Sequence, residues 1–174
     1  MAGSSPVASF VKTRLSIALL VLAEACIAFP AMAQSDPIVL AQAFCAAQTA
    51  DDEQQLRGLM TVDLVSVISE AERRNAAIAT TSGTSGAPLA NGVPYRSSVE
   101  PPVACWPVNV APSANLTIVD IVYASSANRG QWTDRIVLRQ ESGELRVDDV
   151  LFATFLTDTY NAGLRRVLAD SFDQ

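Results

Sequence analysis

Apolar residues change their spacing about halfway along this chain, and the change divides it into a helical first half and a strand-forming second half. Asp36 followed by Pro37 has the pattern of an N-cap and first helical residue, and Ile38, Ala41, Phe44 and Cys45 then fall on one face of a helix. A second short helix is predicted from Asp51 or Asp52 to Met60. Thr61 can cap a third, in which Leu64, Val65, Ile68, Ala71, Asn75 and Ile78 keep helical spacing. These stripes are packing faces, and Glu70, Glu72, Arg73 and Arg74 form the charged outer surface of the third helix.

Residues 80–98 break both periods. The run TTSGTSGAPLANG followed by VPYRSS is rich in Gly, Ser and Pro, yet retains Leu89, Val93 and Tyr95 for packing. It is expected to be a flexible loop, with a pocket lid or partner contact as its functional alternative. Tyr95 and Arg96 make it the first place to look for recognition.

Strand signals dominate after this loop. Pro107 demotes residues 104–110 to an edge or bent strand. Residues 116–124, LTIVDIVYA, are enriched in β-branched side chains. In residues 132–140, Trp132, Ile136 and Leu138 take one face and Arg135, Val137 and Arg139 the other. Ser142-Gly143 can turn this strand into residues 144–150, where Leu145 and Val147 alternate with Arg146 and Asp148. Residues 154–158 precede Tyr160, Leu164, Val167 and Leu168, spaced for a terminal helix despite Gly163. Helices before an antiparallel sheet give a single α+β domain over residues 34–174, with the helices on one sheet face.

Ahead of this domain lies a different pattern. Lys12 and Arg14 precede a mostly apolar stretch over residues 15–29, and AMA precedes Gln34, which is the small-x-small pattern of a signal-peptidase site. Cleavage between Ala33 and Gln34 is expected, releasing the domain into the periplasm or medium. The apolar run is too short and too interrupted by charge for stable membrane insertion. Without it the chain carries 10 Arg and no Lys against 17 acids, a net charge of −7, which disfavours nucleic acid and anionic lipid as partners.

Cys45 and Cys105 are the two cysteines of the exported part. An oxidising compartment favours a bridge between them, and in the chain-entropy model closing such a loop contributes about 4 kcal/mol. Free buried thiols or an intermolecular bridge are the alternatives.

The chain has no histidine, which removes the commonest acid–base group and the commonest nitrogen ligand for a metal. No phosphate-binding glycine loop or clustered metal motif is present, so neither cofactor nor metal is expected. An acid–base site would have to use Asp120, Tyr123 and Asp148, although Asp148 and Asp149 should point to opposite faces of a strand. Asp120 and Asp134 lie within apparent strands and need compensation, which Arg135 or Arg139 can supply across a ladder. Tyr95, Arg96, Trp106, Trp132 and Arg135 are the candidate binding residues.

The segment WTDRIVLRQESGELRVDDVLF followed by YNAGLRRVL resembles the exported bacterial domain of unknown function 3828, of the nuclear transport factor 2-like superfamily, over about residues 36–172. That resemblance implies helices covering a strongly curved, cone-shaped sheet with an apolar cavity. It transfers no catalytic residue, because the exported family offers no residue-level mechanism to map; enzymes on the wider fold often combine Asp with His, and this chain lacks that partner. The expected function is noncatalytic binding of an envelope protein or a small apolar ligand, in the manner of an immunity or inhibitor protein, with homodimerisation a further option. The alternative is a small pocket enzyme, an isomerase or hydrolase.

Overall fold

A computed structural model describes residues 36–82, 86–125, 130–154 and 157–173. The expected export segment, residues 1–33, lies outside the described residues. Helix α1 (Pro37–Ala50) starts as its sequence requires, with the Asp36 carboxylate accepting the Ile38 N–H at 2.8 Å and Pro37 in the first turn. Asp51 ends it in the left-handed conformation (φ 52°), and Asp52 at once caps α2 (Glu53–Gly58) by accepting from the Gln55 N–H at 2.9 Å. Thr61 accepts from the Leu64 N–H and opens α3 (Val62–Ser82). This helix runs through Ser82, so residues 80–82 are helical and the loop begins later than expected.

The sheet has five antiparallel strands, β1 (Ala104–Ser113), β2 (Leu116–Ala124), β3 (Gln131–Glu141), β4 (Glu144–Thr154) and β5 (Thr157–Gly163). Their spatial order is their chain order. β1 is an edge strand, as Pro107 requires, and its register with β2 shifts between Pro107 and Asn109. β5 is the main surprise in the topology. Residues 157–163 pair with β4, Leu151 opposite Gly163 and Thr154 opposite Thr157, so Tyr160 belongs to a strand. The terminal helix α4 (Leu164–Asp170) starts only after Gly163.

The sheet does not close or curl strongly, which overturns the expected nuclear transport factor 2-like cone. Pairing in chain order leaves β1 and β5 at opposite edges, and among the described residues no strand pairing draws these edges together. The architecture is an open α+β meander with helices on one face.

That inner face holds the core. Val119, Ile121, Ile136, Leu138, Val147 and Val150 are buried against Leu40 and Phe44 of α1, Leu64 and Ile68 of α3, and Leu164 and Leu168 of α4. Each such side chain stabilises the fold by about 1.5–3 kcal/mol when fully buried. Cys45 of α1 is bonded to Cys105 of β1 across a sequence separation of 60, tying the first helix to the edge strand. The free side of β4 is covered twice: by β5 near its end, and earlier by residues 59–61, where Val147 donates to the Leu59 carbonyl and accepts from the Thr61 N–H, both at 2.9 Å. Among the described residues, no helix is long and apolar enough to cross a membrane.

Two variants test this scaffold. Replacing both Cys45 and Cys105 with Ser should lower the unfolding free energy in urea by about 4 kcal/mol; a loss under about 1 kcal/mol would show that the α1–β1 tie is energetically idle. A methyl group on Gly163 would overlap the Asp149 carboxylate, which is fixed by the Val150 and Arg165 N–H groups. Gly163→Ala should therefore cost about 1–3 kcal/mol in the same measurement.

Candidate functional site

The left-handed turn at Asp51 forms a corner between α1 and α2, and the loop after α3 returns across it. Asn75 of α3 anchors this loop by accepting the Leu89 N–H at 2.7 Å, and Gly92 (φ 83°) turns it towards the corner. Three successive residues then pin it. Buried Gln48 donates to the Tyr95 carbonyl at 2.9 Å and accepts from Arg96 at 3.0 Å. Arg96 also reaches Asp51 at 3.3 Å, and the Tyr95 hydroxyl donates to Glu53 at 2.7 Å. Ser97 donates its backbone N–H to the Asp134 carboxylate at 2.9 Å.

Between corner and loop lies a cleft of about 620 Å³, with Leu56, Val93 and Pro101 among its apolar walls and Asp51, Glu53 and Tyr95 among its polar ones. That volume suits a small organic molecule or a short peptide segment. Val99, 85% exposed, also lines it.

The ionisable groups around the cleft are committed. Burial acts to raise the Glu53 pKa, but hydrogen bonds from Arg57 and Tyr95 outweigh it and hold the carboxyl below its ordinary range. Arg57 bridges Glu53 and Glu72. Burial, reinforced by the hydrogen bond to Glu53, pushes the Tyr95 phenol far above its usual value. Asp134 is 0% exposed and accepts N–H bonds from Ser97 and, at 3.0 Å, from Ala153. Burial dominates there, and the carboxyl is held above its ordinary range despite those bonds.

The candidate acid–base set does not converge. Tyr123 faces the core and stacks on Trp132, ring centroids 5.1 Å apart. Asp120 takes the other face by alternation, where it accepts from Arg135 at 2.7 Å and from Asn109 at 3.1 Å. Asp148 is far along β4 and accepts from Thr61 at 2.9 Å and Arg165 at 2.8 Å, with Arg139 at 3.2 Å. A register shift in the β3–β4 pairing breaks the expected alternation there, and both Asp148 and Asp149 contact Arg165. Burial raises the Asp149 carboxyl.

The binding set divides as well. Tyr95 and Arg96 line the cleft, and Trp132 stacks on Tyr123 on the sheet face that carries Asp134, the acceptor of the Ser97 N–H. Trp106, opposite Val122, and Arg135 belong to the outer face. Asp120 finds its compensation in Arg135 as the ladder argument expects; Asp134 is instead satisfied by backbone N–H groups. Gln48 and Glu53 escaped the sequence reading. Gln48 carried a signal, since it sits four residues after Phe44 on the apolar stripe of α1. A smaller apolar groove of about 320 Å³ separates α3 from α4, with the Arg74 guanidinium 4.5 Å from the Phe172 ring centre. Among the described residues no group of three or more metal-ligating side chains occurs.

The Asp134 shift has a defined pH consequence. A carboxyl whose folded pKa lies above its unfolded value of about 3.9 binds its proton more readily in the folded state, so folding gains stability as pH falls through that interval. Unfolding free energies of wild type and Asp134→Asn, measured across the mildly acidic range, should diverge in favour of wild type as pH falls. Asp149 shifts in the same direction but is present in both proteins, so a flat difference would mean that Asp134 is not the source.

Compared with protein-family models, curated proteins and solved structures, the chain matches none.

Proposed function

We propose that the protein is a noncatalytic binding domain and that the cleft between the α1–α2 corner and residues 91–101 receives its ligand, a small apolar molecule or a segment of an envelope protein. One observation carries this reading: a cleft of ligand size is walled by a loop fixed at three successive residues, while its ionisable groups are locked in states that suit recognition. Glu53 is held as a carboxylate by Arg57 and Tyr95, and Tyr95 is held as a neutral phenol, so neither is poised to exchange a proton near neutral pH. Apolar walls supply affinity and the few polar groups orient what enters. The same reading places the domain in an oxidising compartment, which the Cys45–Cys105 bond supports.

The test is recovery of the protein from its native envelope followed by mass spectrometry of what stays bound, using wild type, Val99→Trp, Asp120→Asn and Asp148→Asn. Val99 is exposed at the cleft, so the larger ring should obstruct binding while leaving the melting temperature unchanged. Species captured by wild type should be lost from Val99→Trp and kept by both Asp variants. Equal capture by Val99→Trp would remove the cleft from consideration, and turnover of a captured molecule that Asp120→Asn or Asp148→Asn abolishes would replace binding by catalysis.

A further inference from the structure

Three side-chain polar atoms sealed from solvent find no hydrogen-bond partner among the described residues: Arg96 Nε, Tyr123 Oη and Trp132 Nε1. They come from two distant parts of the chain but occupy one layer. Arg96 and Ser97 belong to the loop, whereas Tyr123 and Trp132 form the stacked pair on the inner face of β2 and β3. Asp134, two residues beyond Trp132 and on the same face, joins the two sides through the Ser97 N–H. The Tyr123 ring lies within the electrostatic reach of both Asp134 and Arg96.

Buried polar groups in folded proteins are nearly always paired, because water is given up for nothing when they are not. A concentration of three where one loop meets the sheet, beside a buried carboxylate with no cation bonded to it, marks a contact surface that is desolvated at a loss. Lifting the loop would return Arg96 and the Asp134 carboxylate to water and open the face that carries Tyr123 and Trp132. The bonds surrendered are few: Ser97 to Asp134, Gln48 to the Tyr95 carbonyl, Tyr95 to Glu53, and Arg96 to Gln48 and Asp51. The ends of the segment suit a hinge. Gly92 holds a positive φ that few other residues accept, and Pro101 and Pro102 stiffen the far side, where Pro102 is buried.

We propose that residues 93–98 form a lid, closed in this structure, that lifts as a unit from β2 and β3 and extends the cleft inward onto a floor made of Tyr123, Trp132 and Asp134. Its use in admitting a ligand rests on the binding reading above, but the motion itself is measured without any ligand. The two therefore fail separately: capture by Val99→Trp tests the cleft, and amide exchange tests the lid.

The experiment is native-state hydrogen exchange on the full, disulfide-bonded protein, following the Ser97 amide against those of Ile121 and Ile136 in the sheet core. Lid opening predicts that Ser97 exchanges through an opening at least tenfold more populated than the one that releases the two core amides. Tyr123→Phe removes one unpaired group from the closed state only, so it should slow Ser97 exchange severalfold and leave the melting temperature equal or higher. Exchange of Ser97 in step with Ile121 and Ile136 would overturn the proposal. So would a Tyr123→Phe protein that melts earlier, or whose Ser97 exchanges faster, because the hydroxyl would then be a paired, stabilising group.

Discussion

Backbone hydrogen-bonding groups along a buried strand must all be paired, and β4 meets that demand with three different partners. β3 pairs along one side from Glu144 to Leu151, while the other is shared between β5 and the short extended stretch at residues 59–61. This second-side pairing fixes the positions of the helices. It sets where α2 ends and α3 begins, and hence the orientation of the α1–α2 corner that walls the cleft. β5 in turn delivers Gly163 close against Asp149, so that α4 starts beside β4 with Leu164 and Leu168 in the core.

Charge is divided between two jobs by position. On the outer face and around the sheet edge, Asp120, Asp148 and Asp63 are neutralised by Arg135, Arg165 and Arg139, and these networks hold strands and helices in register. Partly exposed pairs of this kind add little stability singly, which fits a role in geometry more than in energy. On the inner face Asp134 stands apart from any bonded cation and spends its carboxylate on two backbone N–H groups. One acid thereby joins the loop, β3 and the end of β4, and a burial penalty remains on it.

Local patterns of the chain were legible and long-range ones were not. Asp36-Pro37, Asp51 or Asp52, and Thr61 announced the three helix starts to within a residue, and Pro107 announced an edge or bent strand, because each of these signals is settled within one turn or one strand. β5 was missed because Leu164, Val167 and Leu168 have helical spacing that could be extended back to Tyr160; only the open side of β4 decides that residues 157–163 are extended. The cone shape was what the family resemblance implied, and the strand pairing overturns it. Hairpin alternation specifies faces, but curvature depends on which edges meet. In the cleft, Tyr95 and Arg96 were visible as the aromatic and charged residues of an irregular segment. Their partners Gln48, Glu53 and Asp134 come from three separate elements, and no spacing rule joins them.

Among the described residues β1 pairs with a strand on one side alone, and residues 101–119 contain no charged side chain to guard its other side, while Val103, Val108 and Val110 are exposed. Such a strand would ordinarily template the addition of a foreign chain and the growth of fibrils. Pro107 and Pro112 delete two of its amide donors, and the register shift beside Pro107 kinks the ribbon. Strand addition at this border is thus opposed by missing hydrogen atoms and a bend, and by no charge of the strand's own.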